Sequence, residues 1–402
     1  MAVKEVIRNI YLDRLLEFKD HVNLVKIITG VRRCGKSTLM GQYIDELKAD
    51  GIAPERILYL NLESATYKNI ENHEDLIEYI YQRLSKIERS YLFLDEIQRV
   101  DQWEKAVNAL MVDKDVDIYI TGSNAHLLSS ELSTYLTGRY VSVNMFPLSF
   151  KEYCELHSDL KFSKEELFDL YLRYGGFPGI DISLSEVSVY TSLSDLYASI
   201  IYWDVMTRGE IRNRPELDKL VSYLMMNIGN PISINGIVKG IGNIRRETVE
   251  RYLNLLEESY VIYRADRFDL KSTVLSPTPK YYSIDTGIRN ASLKYRDEDY
   301  GRLMENVVYL ELLRRGYTVQ VGKYGSEEID FAARKGMDGW EYFQVSYSIK
   351  SEETRKREFR PLRELNNSFP KTVITTDHRM SSVTEDGIKH VHIINWLLEE
   401  DR

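Results

Sequence analysis

Ile27 to Met40 of this 402-residue chain reads IITGVRRCGKSTLM, and four of its positions constrain the fold more than any other feature. Gly30, Gly35, Lys36 and Ser37 satisfy the spacing G-x-x-x-x-G-K-[ST], with an apolar, β-rich run before them and the amphipathic KSTLMGQYIDELKAD after them. The glycines permit backbone conformations that a β-carbon would block, so successive amides can point at one anionic group. Lys36 adds a long-reaching ammonium, Ser37 a hydroxyl suited to a magnesium ion, and the helix N-terminus its partial positive charge. Such a loop cradles the phosphates of a nucleotide, and Arg32, Arg33, Cys34 and Thr38 complete its lining.

Between Leu24 and Phe146 the segments LVKIITG, RILYLNLE, YLFLDE, DIYITGS and YVSVNMF alternate with helical patterns such as HEDLIEYIYQRLSKIE. That alternation predicts an α/β fold, a parallel sheet with helices on its faces. The third segment ends in Asp95 and Glu96. A carboxylate at the end of a buried strand can hold the magnesium shell, the role assigned to Asp95, while Glu96 can orient and deprotonate a water molecule. One apolar segment alone separates this strand from the loop strand in sequence, so the carboxylate strand is expected further along the sheet. This is the P-loop NTPase arrangement with an additional central strand and a catalytic glutamate. Ser123 and Asn124, with Thr121, close the fourth segment where they can sense a γ-phosphate. Arg139, in LTGRY, precedes the fifth, where a guanidinium can stabilise the transferring phosphoryl of its own or a neighbouring subunit. ATP and Mg2+ are the implied ligands.

Cys34 lies among amides of positive potential, which would lower its thiol pKa unless it serves as a small neutral filler. The only other cysteine is Cys154, so a disulfide framework is excluded and a reducing cytoplasm is indicated. A formal net charge of −9 repels polyanions, so any DNA contact must come from a local patch. The N-terminus lacks an apolar leader and no run is long enough to span a bilayer, which predicts a cytoplasmic protein with no membrane partner.

Beyond Pro147 the pattern becomes helical, with KEELFDLYLRYGGFPG ending in a helix-breaking glycine-proline cluster. ISINGIVKGIGNIRRETVERYLNLLEESYVIYRADRF then reads as helix, turn, helix and hairpin, the order of a winged helix-turn-helix. Its second helix sets Arg245, Arg246 and Arg251 against Glu247, Glu250, Glu257 and Glu258, a weak balance for a DNA reader despite arginines at the groove-entering end. The charged KSEETRKREFRPLRE suits a solvated helix laced with ion pairs. The expected domains are an ATPase domain at 1–147, a helical region with the winged helix at 148–270, and an α/β domain at 271–402.

With these residues in place the chain resembles the AAA-type ATPases of the AAA+ superfamily, found in bacteria and archaea, that carry a conserved C-terminal domain of unknown function. The matching stretches are ITGVRRCGKSTLM, YLFLDEIQ, IYITGSNAHLLSSELSTYLTGRY, FPLSFKEY, YGGFPG, and ENVVYLELLRRGY with EIDF. The resemblance implies an ATPase site at Lys36, Ser37, Asp95, Glu96, Ser123 or Asn124, and Arg139. It also implies a molecular switch or remodeler, with DNA, an unidentified protein or further copies of the chain as partners. The C-terminal order of helix and strands resembles the PD-(D/E)xK nuclease core, in which Glu305 and Asp330 would hold metal. The E-x-K positions read Gln344, Val345 and Ser346, so the charge and the ammonium expected there are missing. The resemblance therefore implies a nuclease-like domain that binds or docks without cleaving.

Overall fold

The five apolar runs upstream of Pro147 form parallel strands β1 (Val25–Thr29), β2 (Ile57–Asn61), β3 (Ser90–Asp95), β4 (Val116–Gly122) and β5 (Tyr140–Asn144). This computed structural model describes residues 5–84, 88–123, 136, 138–270, 274–325, 327–377, 382–383 and 386–399. The strands lie in the order β2-β3-β4-β1-β5, so β4 stands between the loop strand and the carboxylate strand, as the sequence implies. Every residue of β1, β3 and β4 is buried, which explains their mainly apolar character. Helices His73–Tyr81 and Trp103–Asp113 pack Leu76, Ile80, Trp103, Val107 and Leu110 into the core with Leu92, Leu94, Ile118 and Ile120. The helix that follows the loop, Lys36–Ala49, buries Leu39, Met40, Tyr43 and Leu47.

The chain divides into two compact units, Met1–Met145 with Glu258–Tyr260, and Phe146–Glu257 with Val261–Arg402. In the second, helices Ile234–Ile241 and Arg246–Glu258 lead into the hairpin of β6 (Ile262–Asp269) and β7 (Val274–Ser283). This hairpin is not a free wing. β6 also pairs in parallel with β8 (Tyr317–Tyr324), which makes it part of a mixed eight-stranded sheet. The remaining strands are β9 (Glu327–Lys335), β10 (Glu341–Val345), β11 (Lys371–Thr375), β12 (Ser382–Val383) and β13 (Lys389–His392). The sheet order is β12-β13-β11-β10-β9-β8-β6-β7. The prolines of β7, Pro277 and Pro279, conceal a strand in the sequence. They are tolerated because β7 is the edge, where a missing N–H need not break a ladder.

The glycine pair of YGGFPG has a specific partner in this unit. Gly175 has φ of 76°, and a β-carbon on it would lie 2.0 Å from a carboxylate oxygen of Asp285. Asp285 accepts from the amides of Gly176 at 2.7 Å and Ile288 at 3.0 Å, so it pins the turn while capping helix Thr286–Leu293. Burial nevertheless pushes its carboxyl up to about 6.

At the N-terminal end of the first sheet, Lys26 and Asp117 form an ion pair with both side chains fully buried. Asp117 also accepts from the Tyr119 hydroxyl at 2.9 Å and the Asp20 amide at 2.9 Å, and Lys26 donates to the His21 carbonyl at 3.0 Å. Burial lowers the Lys26 pKa although Asp117 opposes the shift. Removing one partner leaves a buried charge uncompensated, which costs about 3–5 kcal/mol, whereas an apolar replacement of both can be neutral. Urea unfolding should therefore show Lys26→Met destabilised by about that amount and Lys26→Met/Asp117→Leu substantially recovered. A single variant as stable as the parent would refute this account of the pair.

Candidate functional site

The loop after β1 closes only because two of its residues are glycine. Gly30 has φ of 146°, and a β-carbon there would stand 2.2 Å from the Met145 carbonyl oxygen. Gly35 has φ of 107° and forms the N-cap of helix Lys36–Ala49. Arg33 also adopts a left-handed backbone, at φ of 64°, and its side chain is exposed. Arg32 lies 3.8 Å from Glu63. Ser37 and Thr38 are exposed in the first helical turn. The Lys36 ammonium turns back over the loop, donating to the carbonyls of Gly30 at 3.1 Å and Val31 at 3.2 Å. These donors and the helix N-terminus fit a polyphosphate.

Cys34 does not carry an activated thiol. Its side chain is fully buried, and burial raises its pKa despite the nearby Lys36 and Arg8 cations. The filler role holds for the side chain, and only backbone atoms of Cys34 remain for the loop's chemistry.

Asp95 and Glu96 stand at the end of β3. Asp95 is fully buried, accepting from the Thr121 hydroxyl and from the Tyr59 hydroxyl at 2.9 Å. Glu96 takes a left-handed backbone with φ of 56°, fixed by its amide's bond to the Thr121 hydroxyl at 2.9 Å. Such a conformation costs a β-carbon-bearing residue about 1–2 kcal/mol. It turns the chain out of the strand, and the Glu96 carboxylate comes to 3.9 Å from the Lys36 ammonium. Gln98 donates to the other Glu96 oxygen. Thr121 thus organises both carboxylate residues. Ser123 is buried at the end of β4, and Asn124 lies outside the described residues.

Arg139 stands apart from the loop. Its guanidinium donates to Asn108 at 2.8 Å and to the Leu136 carbonyl at 3.2 Å, and its own carbonyl accepts from the Val25 amide at 3.0 Å. That sets it level with the first residue of β1, about 13 Å along the strand from the loop end. Arg139 thus stands away from the loop of its own subunit.

Three residues near the loop escape a motif-based reading: Arg8, Tyr59 and Gln98. The Arg8 guanidinium donates to the Cys34 carbonyl at 3.1 Å, and its amide donates to Gln42 of the helix after the loop at 3.2 Å. Only a basic position just before the amphipathic YLDRLLEF hints at it.

In the second unit, Glu305, Asp330 and Gln344 do come together, but with partners from elsewhere. Lys280 of β7 donates to Glu305 at 3.1 Å and Glu328 at 2.8 Å, and the Tyr282 hydroxyl donates to Glu305 at 2.7 Å. Asp330 accepts from the Val345 amide at 2.8 Å, and Gln344 donates to Glu358 at 3.0 Å. Burial and the Glu305 charge push the Asp330 carboxyl well up, against the pull of Lys280. Among the described residues, no group of three or more His, Cys, Asp or Glu side chains is arranged to hold a metal ion. None of their helices is long and apolar enough to cross a membrane.

Comparison with known proteins agrees with the loop's geometry. Residues 22–154 match the AAA domain, and residues 165–299 match a domain of unknown function, DUF8612. An uncharacterized protein of Haemophilus influenzae is 38% identical over 409 residues, covering 99% of this chain and 100% of its own. An uncharacterized protein of Methanocaldococcus jannaschii, MJ1544, is 32% identical over 94% of this chain and 88% of its own. The solved Aeropyrum pernix ORC1 protein in complex with DNA aligns at 12% identity with a TM-score of 0.32, covering 75% of this chain and 95% of that one. The chain belongs to the same family as the Haemophilus and Methanocaldococcus proteins, and its N-terminal unit carries an AAA-type P-loop ATPase domain.

Proposed function

We propose that the first unit binds ATP with Mg2+ and hydrolyses it, and that nucleotide state controls the C-terminal modules. The observation that carries this reading is the approach of Glu96 to Lys36, at 3.9 Å, beside a loop whose backbone only glycine allows. Loop amides from Gly30 to Thr38 and the Lys36 ammonium bind the β- and γ-phosphates. Ser37 and Asp95 hold Mg2+, which when bound offsets phosphate charge. Glu96 accepts the proton of the attacking water as its oxygen bonds to the γ-phosphorus. The bond to the bridging oxygen breaks, and its electron pair leaves with ADP. Ser123 and Asn124 sense the γ-phosphate. Arg139 serves the loop of a second copy in a homo-oligomer, the remaining geometry for a phosphoryl-stabilising role.

The C-terminal cluster reads as a module that docks DNA or a protein partner without cleaving it. Lys280 supports this, because an internal ammonium already pairs with Glu305 and Glu328. DNA as the partner is favoured by Arg245 and Arg246, both exposed at the start of helix Arg246–Glu258, and disfavoured by the ion pair of Arg246 with Glu250 at 2.9 Å.

Lys36→Ala should abolish ATP binding in a fluorescent-nucleotide titration. Glu96→Gln should retain binding while its steady-state turnover falls about 100-fold or more. Turnover by Glu96→Gln at the parent rate would remove Glu96 from the role of base. Plasmid DNA incubated with the protein and Mg2+ or Mn2+ should stay intact. Metal-dependent nicking that Asp330→Ala abolishes would overturn the non-cleaving assignment. DNA affinity that falls steeply with salt and differs between ATP and ADP would identify DNA as what the modules grip.

A further inference from the structure

A cavity of about 810 Å3 opens in the second unit, between the helix Lys164–Tyr174 and the start of Tyr300–Arg314. Its volume lies in the range of small-molecule sites. Four carboxylates line it: Glu166, Asp169, Asp297 and Glu298. Among the described residues, none of these four has an ion-pair partner. Asp169 accepts from the Tyr300 hydroxyl at 2.9 Å, and Glu166 from the Ser163 amide at 2.7 Å, but both donors are neutral. The adjacent Asp299 differs, since it pairs with Arg289 at 2.5 Å and Arg296 at 3.3 Å and does not line the cavity.

Four further residues of the wall are aromatic. Tyr300 and Tyr347 meet edge to face at 5.1 Å, and Phe162 and Tyr295 complete the surface. Tyr347 is 58% exposed and Phe162 is 42% exposed, an unusual display of rings beside unneutralised acids. Among the described residues the cation in the wall is Arg173, which stacks on Tyr295 at 4.8 Å while pairing with Glu186 at 3.5 Å. It shows that a guanidinium is accommodated on these rings, yet it leaves the carboxylates in excess.

We propose that this cavity binds an extended organic cation, whose ammonium or guanidinium groups meet the carboxylates while its aliphatic stem lies on Tyr300 and Tyr347. Rings attract cations through their negative faces and also cover methylene groups, and carboxylates supply charge at the ends of such a stem. A free polyamine and a basic peptide segment present the same chemistry, so the source is a matter for experiment. This site is independent of the nucleotide assignment.

Calorimetric titration of the full chain with spermidine and with the blocked tripeptide Arg-Arg-Arg, at low ionic strength, tests the proposal. One-to-one binding of at least one probe is expected, about tenfold weaker for Asp297→Asn/Glu298→Gln and about threefold weaker for Tyr347→Ala. The control Glu352→Gln/Glu353→Gln, with the same change in net charge on an exposed helix, should bind as the parent does. Tighter binding of spermidine makes a free polyamine the occupant, and tighter binding of the tripeptide makes it a basic protein segment. The proposal is overturned if neither probe binds, if the cavity double variant binds like the parent, or if the control loses as much affinity as that variant.

Discussion

The close approach of Gly30 to the Met145 carbonyl is the contact on which the nucleotide site depends. β1 and β5 are neighbours in register, Thr29 opposite Asn144, and the Met145 amide donates to the Thr29 carbonyl at 2.7 Å. The chain leaving β1 must cross the end of β5 at backbone contact distance, where any side chain would collide. Once it crosses, the Gly35 turn starts the helix and brings Lys36 back over the loop's own carbonyls. A larger residue at Gly30 would displace the strand end, the loop amides and the lysine together.

The same sheet handles charge differently at its two ends. At the N-terminal end, Lys26 and Asp117 are sealed from water, and neighbouring hydroxyl, amide and carbonyl groups add to their bonding. At the C-terminal end, Lys36 and Glu96 remain 3.9 Å apart, with Glu96 held by the strained backbone that Thr121 stabilises. The buried pair fixes a turn and a strand register. The looser pair keeps both groups available for ligand chemistry, which is where strain of this kind is commonly found.

Most of the first unit was legible in the sequence because β1, β3 and β4 are buried along their whole length and read as mainly apolar runs. The loop and the carboxylate pair were legible because their chemistry demands fixed residue types at fixed spacing. Arg8, Tyr59 and Gln98 were not, since no motif spacing connects them to the residues they hold, and Arg8 stands 26 positions from Cys34. The place of Arg139 away from its own loop also had a readable signal. In a parallel sheet the ligand groups follow the strands, whereas Arg139 precedes β5 and so belongs to the opposite end. In the second unit, the prolines of β7 hid the strand that delivers Lys280, and so hid the cation of the C-terminal cluster.

That hidden cation separates two constellations built from similar groups. Around the loop, the ammonium of Lys36 bonds to backbone carbonyls and stands off from Glu96, so both charges can still respond to an incoming phosphate. In the C-terminal cluster, Lys280 binds Glu305 and Glu328 directly, Tyr282 takes up further capacity of Glu305, and burial drives Asp330 toward its neutral form. A divalent ion entering there would have to displace an ammonium already in contact with two carboxylates and compete with a proton at Asp330. Desolvation and like-charge repulsion favour that proton, while the lysine already supplies positive charge. The four carboxylates that line the aromatic cavity have no ion-pair partner among the described residues, and there the balance of charge favours a ligand.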